Sequence, residues 1–176
     1  IKRTLSSDEV MEKAVKCGDG IRILKQDLWE SVVSFIISQS NNIPRIKGII
    51  ERLCENFGDK ISYMGNTYYS FPSYETLSKL SLEDLSVIRA GFRDKYILNA
   101  AKMFASEELS EKELRALSAQ DAKNALMQVK GIGNKVSDCI LLFGLSHTEA
   151  FPIDVWIKRI TEYCWFESEQ SVKTIG

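Results

Sequence analysis

An amine at Lys135 and a carboxylate at Asp154 are the two side chains of this sequence whose surroundings suit chemistry. Lys135 lies in VKGIGNKVSDC, Val129 to Cys139, where two glycines flank one isoleucine just before a helical pattern. Glycines so spaced suit a tight turn with positive φ and no side-chain bulk. Such a turn leaves backbone N–H groups free at the start of the next helix, where the macrodipole favours an anion. Beside those amides and partly screened from water, Lys135 is placed for a lowered pKa and so for service as a nucleophilic amine. Asp154 follows Pro152-Ile153 and opens a helical pattern from Val155 to about Tyr163, so it reads as an N-cap. The same dipole end keeps its carboxylate ionised, and an ionised carboxylate stabilises positive charge developing on a reactant. Plainer readings stand beside these: a helix–helix corner with Ile132 packed into the core, a solvated lysine, and a cap that only caps. Asp138 is a second carboxylate, three residues after Lys135, and pairing on the helix surface accounts for it.

The elements that must position these groups are helical. Asp27 with Glu30 has capping-box spacing and opens a helix whose Leu28, Trp29, Val32, Phe35 and Ile36 share a face. That helix ends in the polar run Ser38 to Asn42. Pro44 then suits a first helical turn, and Ile46, Ile49, Ile50, Leu53 and Phe57 recur with helical period up to Gly58. From Asp59 to Ser73 the periodicity is lost, which predicts a loop or short hairpin turning at Gly65-Asn66 among Tyr63, Tyr68, Tyr69 and Phe71. Ser81 with Asp84, Ser110 with Glu113 and Ser118 with Asp121 predict short helices near 82–89, 111–117 and 119–128. Tyr96, Ile97, Ala100, Ala101 and Phe104 predict another over 94–105. The expected fold is all-α, a multi-helix orthogonal bundle with short connections.

A hydrophobic fraction of 44% over 176 residues is enough for a real core. No apolar run approaches the roughly 20 residues that span a bilayer, and no secretory signal pattern opens the chain. The first residue is Ile1 rather than Met, which suggests a piece of a longer product. Cys17, Cys54, Cys139 and Cys164 form no C-x-x-C pair, against a zinc ribbon or a clustered iron–sulfur loop and for reduced thiols. Lys+Arg 23 against Asp+Glu 24 leaves a net charge of −1, so any polyanion site must be local. Lys130, Lys135, Lys158 and Arg159 could supply it. The only histidine, His147, lies in the loop after Gly144, which excludes histidine acid–base catalysis.

VKGIGNKVSDC, FPIDVW downstream of it, and the upstream SFIISQSNNIPRIKGIIERLCENFG with AGFRDKY together resemble the helix-hairpin-helix DNA glycosylases, and within them the 8-oxoguanine DNA glycosylase/AP lyases. The resemblance covers roughly residues 21–166. It implies a lead-in helix or linker over 1–26 and a glycosylase domain over 27–176, with its hairpin at about 129–136. It also implies that an N-terminal β domain and further C-terminal helices of the family lie outside this chain. Gly131, Gly133 and Val136 would bind DNA phosphate. Lys135 would attack the sugar carbon bearing the damaged base and form a Schiff base, after which elimination can cut the strand. Asp154 would stabilise the charge on the sugar as the base departs.

Cys139, four residues after Lys135 on the same helical face, would pack on the extruded base; a buried core thiol is the competing reading. An enzyme acting on a base inside a duplex must rotate that nucleotide out and fill the gap. Ser40, Asn41, Asn42, Arg45 and Phe92 match the positions that do so in the family and that contact the orphaned cytosine. Ser40 stands where the family usually has asparagine, and Phe92 where many relatives have tyrosine. Arg45 as a surface charge and Phe92 as core are their ordinary explanations. Trp156 replaces a phosphate-contacting histidine of the eukaryotic enzymes. The resemblance implies no required cofactor, with room for a monovalent or divalent cation at the hairpin. The implied partner is double-stranded DNA with an oxidised base, bound by a monomer without a membrane, in the nucleus of a eukaryote or the cytoplasm or nucleoid of a prokaryote. An endonuclease III-like glycosylase for other oxidised bases and a non-enzymatic DNA-binding hairpin module are the alternatives.

Overall fold

The computed structural model describes residues 2–166, and they form two compact units: the segment up to Leu24 together with the chain from Ile153 onward, and Lys25–Pro152. The first contains α1 (Lys2–Leu5), α2 (Glu9–Cys17) and, after the second unit, α11 (Val155–Trp165). Asp8 caps α2 by accepting from Met11 N at 2.9 Å, and its second oxygen accepts from Trp165 Nε1 at 3.1 Å, so one carboxylate joins both ends of this unit.

The second unit runs α3 (Leu28–Ser38), α4 (Ile43–Phe57), the hairpin β1 (Lys60–Tyr63) and β2 (Asn66–Tyr69), α5 (Tyr74–Ser78), α6 (Leu82–Leu85), 3-10 turns at Ser86–Ile88 and Gly91–Arg93, α7 (Asp94–Ala105), α8 (Glu111–Ala116), α9 (Ala119–Leu126) and α10 (Asn134–Gly144). The all-α expectation holds, with one two-stranded antiparallel sheet among the described residues. No helix there is long and apolar enough to cross a membrane.

Helix α3 is the axis of this unit. Leu28, Trp29, Val32, Val33, Ile36 and Ile37 are all buried, because α4, α7 and α10 pack around it. Trp29 meets Tyr74 edge-on at 5.7 Å and the tilted Phe104 ring at 5.4 Å, and donates its indole N–H to Pro72 O at 2.9 Å. The structure adjusts two sequence expectations and adds one helix. The hairpin turns at Met64-Gly65 rather than Gly65-Asn66, both residues having positive φ (48° and 78°), as a two-residue I′ turn requires. The helix expected over 82–89 ends at Leu85 and tightens into 3-10 geometry to Ile88. Helix α5, capped by Ser73 and burying only Leu77, is too short to show periodicity.

The close approach of α10 to α3 rests on Gly144. A Cβ there would stand 3.1 Å from Leu28 Cδ1 and 3.3 Å from Ser31 Cβ. Gly144→Leu should therefore destabilise the protein by about 1–3 kcal/mol through overpacking, despite leucine's better helix propensity. A lower urea midpoint with an unchanged m-value is the expected result.

Candidate active site

The hairpin between α9 and α10 is built on two glycines with different duties. Gly131 has φ +92°, a conformation that other residues adopt at a cost, and a Cβ there would lie 2.5 Å from the Tyr96 ring. Tyr96 is thus the floor of the turn. Gly133 is extended (φ −103°), is the N-cap of α10, and has open space where its Cβ would be. Asn99 on α7 anchors the turn by accepting from Lys130 N at 2.9 Å, and Ile132 is buried. The corner reading and the binding reading of this turn are therefore compatible: Ile132 packs inward while Gly133 faces out.

Helix α10 begins without a side-chain cap. Among the described helices of eight residues or more, only α7 shares this, and α7 continues directly from a 3-10 turn. The first-turn amides of α10 point outward at the positive end of the dipole, an arrangement that accepts an oxyanion. Lys135 sits in this first turn, partly buried, with its ammonium 5.7 Å from the centroid of Phe35 on α3. Phe35 in turn meets Phe143 at 5.6 Å. One turn along α10, Cys139 is 4% exposed, and no disulfide joins any of the four cysteines. The amine thus stands over an aromatic ring, one helical turn before a buried thiol.

Asp138 does not pair with Lys135. Its carboxylate accepts from Lys123 Nζ of α9 at 2.8 Å, an ion pair that braces the two arms of the hairpin. Asp154 belongs to the other compact unit. It caps α11, accepting from Ile157 N at 2.9 Å through Oδ1. Trp156, on the first turn of α11, is 66% exposed, with the Arg159 guanidinium 5.3 Å from its ring centroid. A bond from its own backbone N–H, and then the contact with His147 at 3.1 Å, hold the Glu149 carboxyl below its usual range.

The elbow after α3 is drawn tight by its own amides. Asn41 Nδ2 donates to Ile37 O at 2.9 Å and its Oδ1 accepts from Asn42 N at 3.0 Å; Asn42 Oδ1 accepts from Arg45 N at 3.0 Å and caps α4. Ser40 is the exposed tip, with φ +46°. Phe92 is 53% exposed, which corrects the core reading; a solvent-facing aromatic on a 3-10 turn is not covered by any core layer. Its ring meets Tyr96 edge-on at 6.0 Å, so one tyrosine touches both the glycine hairpin and Phe92. Arg45 reaches Arg89 O at 3.5 Å beside this turn, and Arg52 donates to Ile88 O at 2.9 Å.

Sequence reasoning passed over Arg93, which is 2% exposed. It bonds the carbonyls of Gln39, Ser40 and Ala90, so the structure brings the elbow and the Phe92 turn together. Burial lowers its pKa from the usual arginine range, nearby Arg45 acts in the same direction, and Asp94 opposes them. Burial raises the Asp94 carboxyl in turn, and its Oδ1 is buried without a hydrogen-bond partner. The one available signal was the RD pair inside AGFRDKY, charged residues at the start of an amphipathic helix.

This site and fold define a helix-hairpin-helix protein, and comparison with known proteins agrees. Residues 33–175 match the HhH-GPD superfamily base excision DNA repair protein family, and the chain belongs to it. It is 36% identical over 155 residues to the N-glycosylase/DNA lyase of Saccharomyces cerevisiae, covering 81% of this chain and 41% of that protein. It superposes on MBOgg1 in complex with a low affinity DNA ligand with a TM-score of 0.92 at 44% identity, covering 98% of this chain and 60% of the other. Against the Clostridium acetobutylicum 8-oxoguanine glycosylase/lyase in complex with double-stranded DNA containing cytosine opposite 8-oxoguanine, the TM-score is 0.90 at 37% identity, over 98% and 59%. The chain thus spans between two fifths and three fifths of the length of these relatives.

Substitutions separate the two glycines. Gly131→Ala should cost about 2 kcal/mol or more, from left-handed strain and collision with Tyr96. Gly133→Ala should cost under about 1 kcal/mol, because nothing lies within 4 Å of where its Cβ would stand. Thermal unfolding of the two variants reads the difference. Asp138→Asn should lower stability by about 1–2 kcal/mol, between the values for exposed and buried pairs.

Proposed function

We propose that this chain acts in base-excision repair as a bifunctional DNA glycosylase and AP lyase on oxidised purine in duplex DNA, 8-oxoguanine opposite cytosine being the substrate. The observation that carries this reading is Lys135: an amine in the first turn of an uncapped helix, over the Phe35 ring and one turn from Cys139. A phosphate held by amides around Gly133 would fix the strand, and the amine then meets sugar rather than solvent. Attack of Lys135 on the sugar carbon bearing the base forms a C–N bond as the glycosidic bond breaks and the base leaves with its electron pair. Opening of the sugar gives a Schiff base, and elimination from it cuts the strand. The role of Asp154 is to stabilise the positive charge that develops on the sugar, as an N-cap carboxylate can. Cys139 lines the base pocket. Ser40, Asn41, Asn42, Arg45 and Phe92 fill the gap and meet the orphaned cytosine; Arg45 has donors that match cytosine acceptors. The MBOgg1 and C. acetobutylicum structures, both bound to DNA and close to this fold, support the assignment.

Borohydride trapping on an 8-oxoguanine:cytosine duplex, beside abasic and undamaged duplexes, tests the chemistry. A covalent adduct on the lesion duplex that disappears in Lys135→Gln is the expected result. Asp154→Asn should slow adduct formation by about 10²–10³-fold, the size of one electrostatic partner in a transition state. An adduct that survives Lys135→Gln would remove the lysine from the mechanism.

A further inference from the structure

Between α7 and the arm that leads into the glycine hairpin lies a cavity of about 530 Å³, lined by Asn99, Met103, Glu108, Leu109, Ala125 and Gln128. Small-molecule sites run from roughly 300 to 1,000 Å³, and the reaction proposed above uses none of these residues. One wall forms where α7 ends. Ser106 N–H bonds back to the carbonyls of Lys102 and Phe104, and Leu109 N donates to Met103 O at 3.1 Å. Glu107 takes the left-handed conformation there (φ +62°), where helices commonly end in glycine. The turn buries Leu109 and brings Glu108 to the cavity.

Charge decides what such a cavity holds. Glu108 is its one charged lining residue, and among the described residues this carboxylate makes no ion pair. The ends of two helices act in the same sense. Helix α7 closes at Ala105 and α9 at Leu126, and a helix dipole is negative at that end. The lysines of those last turns are placed elsewhere, Lys102 outside the lining and Lys123 on Asp138 at 2.8 Å. A cation is therefore favoured and a phosphate disfavoured. Met103, Leu109 and Ala125 suit a short hydrocarbon stem, and the Asn99 and Gln128 amides supply hydrogen-bonding groups. An ammonium or guanidinium on an aliphatic stem fits this wall. A bare metal ion does not, because one carboxylate and two amides fall short of the six to eight oxygens that a hard cation takes.

We propose that this cavity binds a small organic cation and that Asn99 passes its occupancy to the hairpin. Asn99 is at once a wall of the cavity and the acceptor for Lys130 N–H at 2.9 Å. Its carbonyl oxygen has two lone pairs, so an ammonium that takes the second weakens the bond to Lys130. Binding here requires no excision chemistry.

Titration of the isotope-labelled full chain with butylammonium and with agmatine, beside uncharged butanol, tests this by amide chemical shifts. Both cations should give saturable shifts at Asn99, Glu108, Leu109, Gln128 and Lys130, and butanol none. Glu108→Gln should raise the dissociation constant about tenfold or more, the size of a lost charge-assisted hydrogen bond. Glu108 is exposed, so this variant keeps the fold. Ala125→Leu narrows the cavity without touching its charge and should also weaken binding.

No saturable shift with either cation, an equal response to butanol, or an unchanged constant in Glu108→Gln overturns the proposal. So do shifts that leave Lys130 unmoved, and shifts centred instead on Asp138 and Glu149, the carboxylates of a separate cavity beside Phe151.

Discussion

Burial of α3 on nearly every side is the constraint from which the rest of the second unit follows. A rod of Leu28, Val32, Val33, Ile36 and Ile37 has no solvent face to spare, so α4, α7 and α10 must each approach it closely. The approach of α10 places Lys135 over Phe35, on the same helix as the buried rod. The end of the rod makes demands of its own. Where α3 stops, its last carbonyls need partners, and Asn41 and Arg93 supply them. A packing requirement and a set of unpaired backbone groups thereby fix both the position of the amine and the shape of the elbow.

Electrostatics in this unit works through backbone groups rather than net charge. The chain carries −1 overall, but the local fields are set by helix ends. The N-terminus of α10 offers N–H groups with no side-chain acceptor, while the carbonyls after α3 and at 88–90 collect guanidinium groups from Arg45, Arg52 and Arg93. A global charge count could not detect either arrangement, since the partners are dipoles.

Features with short-range causes were legible in the sequence. Asp27, Ser81, Ser110, Ser118 and Asp154 cap helices through bonds to residues three positions on, and that spacing is visible in the chain itself. The glycine hairpin was visible for the same reason, although Gly131 needs its positive φ and Gly133 does not. What escaped depends on distant partners. Arg93 is defined by carbonyls 53 and 54 residues away. Asp138 met Lys123 on the neighbouring helix rather than Lys135 on its own. Core was only the alternative explanation for Phe92, and its exposure on a turn removes that alternative. The division of the chain into units also unites its two ends through Asp8 and Trp165, a contact that no local pattern announces.

The tip of the elbow has a bearing on how relatives should be compared. Ser40 holds φ +46°, in the left-handed region where asparagine is several-fold enriched and serine is not. The family that this chain resembles usually has asparagine at that position. Its recurrence there therefore has two separable origins, backbone comfort and contact with DNA, and a chain with serine keeps the second role open while giving up the first. An alignment column at this position records conformational preference as well as function.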